Sequence, residues 1–460
     1  MRRRGSILIG LLWCVALLSL VVIGVLHTAR IDLLVGKNYG DRIQAHYLAL
    51  AGVEKAEALL YQNARDRSRS DKNHSGELYN EPQQFRDVSL GRGVFRVFRR
   101  GREDEGGGVI YGVSDEESRL NVNSADTNEL MKLDGMTSDI AAAIVDWRNS
   151  GNNPAPGGAG QDYYTSLQPP YLPRNAPFET VRELLMVRGV SADLLLGKDA
   201  HQNGFFDPGE DLASADSRSG DAAADVDSGW AGILTADSQI KNVNAAGQDR
   251  VNVQNASETE LTSIPGITPV IARAIVAYRG RNQFQSIADL LDVTAAQNQN
   301  DAQAAALAAQ GFSDQSQSGG GQSPGGASGP QVIDEDLFQD IADDVTLDTG
   351  ETRSGIININ TAGVDVLCCI PGIDRPLAQA IVSYRQSSGY FPSIGGLLKV
   401  PGMNRQLFKQ AAPFVDARSE TYRILSEGRV NSTGTRQRLQ VIVHIGLHDV
   451  STVSYREDSL

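Results

Sequence analysis

Cysteine is scarce in this 460-residue chain, which has only Cys14, Cys368 and Cys369. Three thiols build neither a disulfide framework nor a zinc site, and the adjacent pair reads as helix packing because neighbouring cysteines rarely bridge each other. Histidine is equally thin: of the six, at 27, 46, 74, 201, 444 and 448, only His444 and His448 could be strand neighbours. There is no glycine-rich phosphate loop of the Walker type and no catalytic constellation, so the sequence points away from an enzyme. Positive charge is also short, with 42 Lys and Arg against 56 Asp and Glu and a net charge of −14. That balance suits nucleic acid poorly, since phosphates attract Lys and Arg and give binding a steep salt dependence.

Apolar residues are present in one long run. Arg2, Arg3, Arg4 and Gly5 precede 21 residues without a charge, Ser6 to Leu26, close to the ~20 that cross ~30 Å of hydrocarbon. A cleaved secretory signal has a shorter apolar core and an A-x-A-like site, whereas this run leads into HTARIDLL. The three arginines place the start on the cytoplasmic side and the chain after Leu26 outside. Apolar residues then recur at Ile43, Tyr47, Leu50, Val53, Ala56 and Leu60, extending the span into one helix of about 55 residues, amphipathic over 27–64. FRDVSLGRGVFRVFRR and GGGVIYGVSD, within 84–118, alternate as antiparallel strands, as do TYRILSEGRV and RQRLQVIVHIGLHDVSTVSYRED within 416–460.

Between these strands lies an internal repeat. LNVNSADTNELMKLDGMTSDIAAAIVDWR at 120–148 matches VNVQNASETELTSIPGITPVIARAIVAYR at 251–279 and IININTAGVDVLCCIPGIDRPLAQAIVSYR at 356–385. Each copy reads as an extended segment, a helix carrying Leu130, Leu261 or Leu367, a tight turn at Gly135, Gly266 or Gly372, and a second helix ending in Trp147-Arg148, Tyr278-Arg279 or Tyr384-Arg385. This is a helix-hairpin-helix. A companion segment follows each, opened by an N-capping Thr180, Ser286 or Ser393, so two hairpins pack as one small all-α core. The boundaries expected are an insert over 119–299, a Gly, Ser and Gln-rich linker over 300–330 and a third unit over 331–415.

Hairpin turns of this kind can hold a phosphate on backbone N–H groups at a helix start. DNA-binding versions carry a second glycine two residues after the first, followed by lysines. Here those positions are Thr137, Thr268 and Asp374, Asp139 adds an acid, and no lysine follows any turn. Nucleic acid is not the expected partner, and a scaffold or protein-docking role is. DAHQNGFFDPGE at 199–210 spaces oxygen ligands as a calcium loop does. Asp199, His201, Asn203, the carbonyl of Phe205, Asp207 and Glu210 fall at the ligand positions and Gly204 at the turn, with His201 the ill-suited member. The alternative is an acidic surface loop.

A basic leader ending in Gly, an apolar helix from the next residue, an amphipathic continuation and a small sheet resemble the type IV pilins and type II secretion pseudopilins. That resemblance implies an α+β fold, with a pilin-like N-terminal helix and antiparallel sheet carrying a large inserted helix-hairpin-helix (SAM-like) region. It also implies cutting by a membrane peptidase after Gly5 of the 1–5 leader, leaving a methylated Ser6 as the first residue of the 6–26 span and a net charge of −17. Most of that family carries Glu at the fifth mature position, where this chain has Gly10. Gly10, SDEESRLNVNSA at 114–125 and PPYLPRNAPFETVRELLMVRGV at 169–190 are similar to the protein K minor pseudopilins, which depart at that position and carry a helical insert. The resemblance implies a non-catalytic tip subunit in the inner membrane with its bulk in the periplasm. Minor pseudopilins of types I and J, the pseudopilus and the prepilin peptidase would be its partners and calcium its ion. A membrane-anchored helix-hairpin-helix protein of DNA binding or uptake is the alternative.

Overall fold

The computed structural model describes residues 5–70, 77–149, 154–197, 199, 228–295 and 330–458. Helix α1 runs unbroken over Gly5–Ser70, longer than its apolar pattern suggests. Its N-terminal half includes an 18-residue stretch apolar enough to cross a membrane, none of it buried against the rest of the chain.

The C-terminal half of α1 lies across a six-stranded antiparallel sheet: β1 Val88–Leu90, β2 Gly93–Val97, β3 Ser114–Asp115, β4 Thr421–Val430, β5 Arg436–Ile445 and β6 Val450–Asp458. The spatial order is β1-β2-β4-β5-β6, with β3 also on β4. Strand alternation turns Ile424, Leu439, Val441 and Val443 toward Ala49, Val53, Ala56 and Leu60 of α1.

The helix approaches closely because small residues line the contact. A Cβ on Gly428 would sit 2.1 Å from the Ala45 carbonyl oxygen, one on Gly52 2.2 Å from Ser426 Oγ, and Ser426 Oγ donates to the Ala49 carbonyl at 2.7 Å. This corrects the expected buried stripe: Ile43 and Tyr47 are 41% and 64% exposed, while Ala45, Leu48 and Ala49 are buried in their place. Apolar size marked the wrong residues because close packing on a sheet selects small ones.

The insert between β3 and β4 contains three units of one design. The first hairpins are α2 Thr127–Leu130 with α3 Ser138–Arg148, α4 Glu258–Leu261 with α5 Pro269–Arg279, and α6 Val364–Cys369 with α7 Arg375–Ser388. Each second hairpin is a 3₁₀ turn (Val181–Met186, Ile287–Asp292 or Ile394–Lys399) followed by a short helix, Ala192–Leu196, Glu335–Ile341 or Arg405–Ala411. Of the three hydroxyls expected to cap those companion segments, only Ser286 does so; Thr180 and Ser393 make no cap bond, and Ser393 donates to Gln339 O instead.

A two-residue parallel ladder closes each unit, pairing Leu120–Asn121 with Leu234–Thr235, Val251–Asn252 with Val345–Thr346, and Ile357–Asn358 with Val415–Asp416. The second unit therefore extends past residue 330 to Thr346, and the third begins at Ile357 rather than at 331. The Gly and Ser-rich stretch interrupts a unit, whose fourth helix and closing strand come after it. One continuous apolar core runs through all three units, from Leu120 to Val415, apart from the core between α1 and the sheet.

Candidate functional site

Each hairpin unit is locked by the same local chemistry. Asn121, Asn252 and Asn358 accept through Oδ1 from the backbone N–H two residues on, at 2.7, 2.9 and 2.9 Å, forming an Asx turn. The next polar residue, Asn123, Gln254 or Asn360, accepts from the N–H of Phe178, Phe284 or Phe391 and so ties the two hairpins together. Those phenylalanines lie against Trp147, Tyr278 and Tyr384. The adjoining arginine turns back to the entry segment: Arg148 donates to the carbonyls of Val122 and Ala125, Arg279 to Val253 and Ala256, and Arg385 to Ile359 and Ala362. The repeated aromatic–arginine pair thus closes a structural clamp.

Each hairpin turn backs onto the fourth helix of its own unit, with its outer side open to solvent. Gly135, Gly266 and Gly372 have φ of +75°, +92° and +81°, a left-handed backbone that favours glycine. A Cβ there would meet Leu194 at 2.9 Å, Leu337 at 2.8 Å and, in the third copy, the Leu407 carbonyl at 3.1 Å, always on the fourth helix of the same unit. Two residues on, Thr137, Thr268 and Asp374 N-cap the second helix, their side chains accepting from Ile140, Ile271 and Leu377 N–H at 3.3, 3.4 and 3.0 Å. These residues do more than lack a glycine: they place an oxygen on the helix N-terminus, where an anion would otherwise bind.

A second constellation joins the insert to the sheet, and sequence reasoning did not single it out. Asp115, Glu116 and Glu117 are consecutive and only 3%, 0% and 1% exposed. Asp115 Oδ2 accepts from Ser419 Oγ at 2.6 Å, Asn358 Nδ2 at 3.1 Å and the Thr361 hydroxyl. Glu116 binds Arg423 at 2.7 Å and accepts from the Thr235 hydroxyl. Glu117 accepts from the backbone N–H of Gln239 at 3.2 Å and of Thr421 at 3.1 Å. The three acids thereby touch β4, the end of the first unit, the segment that leads from it to the second, and both ends of the third. Burial raises the Asp115 and Glu117 carboxyls. It opposes ionisation of Glu116 too, but the charges of Arg423 and Arg119 win and hold that group below its usual range. The sequence signal was three acids directly after an alternating strand.

Nearby, Arg250 bridges Asp343 at 2.7 Å and Asp416 at 3.0 Å, and Arg353 reaches Asp416 at 3.1 Å. Asp416 is held well below the carboxylate range: burial acts against this, and Arg250, Arg418 and Arg353 overcome it. These pairs bind the second unit to the third.

Of the other sequence-derived sites, Gly5 and Ser6 begin α1. Asp199 is buried, its N–H donating to the Leu196 carbonyl at 3.0 Å, whereas His201, Asn203, Phe205, Asp207 and Glu210 lie outside the described residues. Among the described residues no group of three or more His, Cys, Asp or Glu is placed to hold a metal.

Comparison with known proteins matches residues 115–196 to the family described as type II secretion system (T2SS), protein K, and residues 246–307 and 353–416 to the helix-hairpin-helix motif. Among curated relatives, the mouse endonuclease/exonuclease/phosphatase family domain-containing protein 1 is 29% identical over 161 residues, 34% of this chain and 26% of its own length. The transcriptional accessory protein Tex of Neisseria gonorrhoeae is 44% identical over 59 residues, 13% of this chain and 8% of its own. The chain spans about a quarter or less of the curated relatives it matches. Among solved structures, one chain of the GspK-GspI-GspJ complex from the enterotoxigenic Escherichia coli Type 2 Secretion System aligns at 11% identity and a TM-score of 0.42, over 94% of this chain and all of that one.

Proposed function

We propose that this chain, which carries a type II secretion protein K domain over residues 115–196, acts as a non-catalytic minor pseudopilin at the tip of a pseudopilus. The observation that supports this most directly is continuity: the matched segment begins at Asp115, within β3 of the sheet that packs on α1. A helix-hairpin-helix body is thus built into a pilin-like sheet rather than appended to it. Gly10 provides no carboxylate for a neighbouring amino terminus, and a helical body inserted over residues 120–416 is bulky for a repeating fibre subunit. Both features fit a fibre end, where one neighbour is missing.

In this reading Arg2, Arg3 and Arg4 stay in the cytoplasm, α1 crosses the inner membrane once and the rest stands in the periplasm. The prepilin peptidase cuts between Gly5 and Ser6, and minor pseudopilins of types I and J are the neighbours. Labelled protein at one end of each fibre, a mature chain starting at methylated Ser6 and loss of export on deletion are the expected results. Label spread along the fibre, or Met1 retained in mature protein, overturns the reading. Calcium at 199–210 belongs to the same proposal. A chelator should lower the thermal midpoint of the wild-type chain and leave an Asp199→Ala, Glu210→Ala variant unaffected, since an ion that binds only the folded state stabilises it by mass action.

A DNA-binding role is the second reading, favoured by the helix-hairpin-helix matches. The capped turns and the net charge weigh against it. Duplex DNA retained by the full chain with a steep inverse salt dependence would reverse this order.

A further inference from the structure

We propose that Asp115 and Glu117 hold one proton between them in the folded protein, so that the joint between the sheet and the helical insert is a proton-loaded latch. The geometry carries the proposal. Both carboxyls are buried, and among the described residues neither forms an ion pair with Lys, Arg or His. The neighbouring Glu116 pairs with the nearest cations, Arg423 at 2.7 Å and Arg119 at 3.9 Å, and Arg119 acts on Asp115 without pairing with it. The two residues are in direct contact, since the Glu117 backbone N–H donates to Asp115 Oδ1 at 2.9 Å. Two neighbouring carboxyls without a paired cation, shielded from water, cannot both stay ionised.

The donors decide where the charge rests. Asp115 Oδ2 is met by Ser419, Thr361 and Asn358 and, at 3.4 Å, by the Tyr79 hydroxyl. Glu117 accepts from fewer neutral donors, chiefly the backbone N–H groups of Gln239 and Thr421. Neutral donors stabilise a carboxylate on Asp115, and Glu117 carries the proton and donates it to that carboxylate. Burial, and then the charge of Asp115, push Glu117 in the same direction. The titratable and charged groups around the pair are Tyr79 before the sheet, Tyr422 and Arg423 on β4, Glu420 before it, Glu116, Arg119 and Asp237 from the first unit, and Arg67 on α1 beside Tyr422. His444, at 3.8 Å from Glu420, is the nearest histidine contact on β5.

The latch has a defined sign. A carboxyl whose affinity for protons is raised by folding stabilises the fold fully below its unfolded value of about 4, and that contribution fades as pH rises through the folded value. Losing the proton sets two like charges at the first of the two covalent connections between sheet and insert, on segments that also bind β4 and the third unit. The loosening should therefore fall at residues 114–121, 357–361 and 419–423.

The full chain in detergent, unfolded by heat at about pH 5 and about pH 9, tests this against Asp115→Asn, Glu117→Gln and Asp237→Asn variants. Asp237 is included because burial and Glu116 raise its carboxyl to about 6, and its own titration must be subtracted. The wild-type midpoint should fall toward the alkaline side, Glu117→Gln should flatten that fall because an amide donates to Asp115 at every pH, and Asp237→Asn should leave the remainder in place. Infrared spectra of the wild type at about pH 8 should show a protonated-carboxyl band that Glu117→Gln removes, a readout that holds even if the variants fold poorly. Absence of that band in the wild type, or an unchanged pH profile in Glu117→Gln, overturns the proposal.

Discussion

Helix α1 meets the sheet through apolar side chains and small residues, whereas the insert meets the same sheet through buried charge. In the first interface Val53, Ala56 and Leu60 lie on Ile424, Leu439 and Val441, and Gly52 and Gly428 let the backbones close in. In the second, Asp115, Glu116 and Glu117 bind donors from β4 and from the first and third units. Apolar burial is non-directional and supplies stability in proportion to area. A satisfied polar cluster adds less net stability but has only one geometry in which its donors and acceptors all meet. Stability and orientation are thus assigned to different surfaces.

The sharpest break in that comparison is Gly428→Val. Its Cβ would meet backbone atoms at 2.1 Å and 2.5 Å, the Ala45 oxygen and Ala49 nitrogen, which cannot swing aside as a side chain could. The expected cost is about 4 kcal/mol or more, in the range reserved for overpacking against rigid neighbours. Hydrogen exchange should show residues 421–445 losing protection while Trp147 and Trp230, both buried in the first unit, keep their apolar emission. Simultaneous loss of both signals would mean that sheet and insert fold as one cooperative unit.

Next in size is Glu116→Ala. It leaves the largely covered Arg423 without the carboxylate it pairs with at 2.7 Å, a change that costs about 3 kcal/mol when a buried pair is broken from one side. The denaturant midpoint of the full chain measures it. Glu116→Gln should recover part of the loss by keeping the Thr235 bond, and a variant as stable as wild type would show that the junction does not hold the insert.

The outer corner of the sheet gives a pH-dependent effect of intermediate size. Glu105 binds Arg99 through both oxygens, at 2.7 and 2.8 Å. Burial opposes its ionisation, yet the Arg99 hydrogen bonds and the Arg102 and Arg99 charges bring it down to about 2. A lowered carboxyl stabilises the fold above its unfolded value of about 4, and the contribution is lost as pH falls toward 2. Arg99–Arg100 pairs antiparallel with Val109–Ile110 in a two-stranded ladder of its own; acid should therefore release that ladder before the hairpin units, and Glu105→Gln should remove that acid step.

These two interfaces also mark what the sequence could disclose. The hairpin units were legible because their determinants are local and repeated: a glycine at positive φ, an Asx turn at Asn121, Asn252 and Asn358, and an aromatic–arginine pair at constant spacing. The junction was not, because Asp115 finds Asn358, Thr361 and Ser419 across a sequence distance that no pattern encodes. Composition misplaced the third unit, since a Gly and Ser-rich stretch looks the same between domains and within one. Apolarity likewise favoured Ile43 and Tyr47 over Ala45 and Ala49 on α1.

The smallest effect expected here compares the three copies with one another. Thr137, Thr268 and Asp374 cap equivalent helices at 3.3, 3.4 and 3.0 Å, and removing a cap oxygen costs about 1 kcal/mol. Asp374→Ala should cost the most, because its bond is the shortest and a carboxylate also complements the positive end of the fourteen-residue helix α7. Thr137→Ala and Thr268→Ala should each cost less, and high salt should narrow the gap, since only the carboxylate is screened. The same substitutions test why these turns are closed to phosphate. If the cap oxygen is the obstacle, Thr268→Gly should give the full chain weak, salt-sensitive retention on duplex DNA. If inward packing of Gly266 on Leu337 also excludes the backbone, retention should stay at the wild-type level even though the cap is gone. The second result is the expected one, because the inner side of the turn packs on its own fourth helix, where a Cβ added at Gly266 would lie 2.8 Å from Leu337, and a net charge of −14 works against a phosphate at its exposed side.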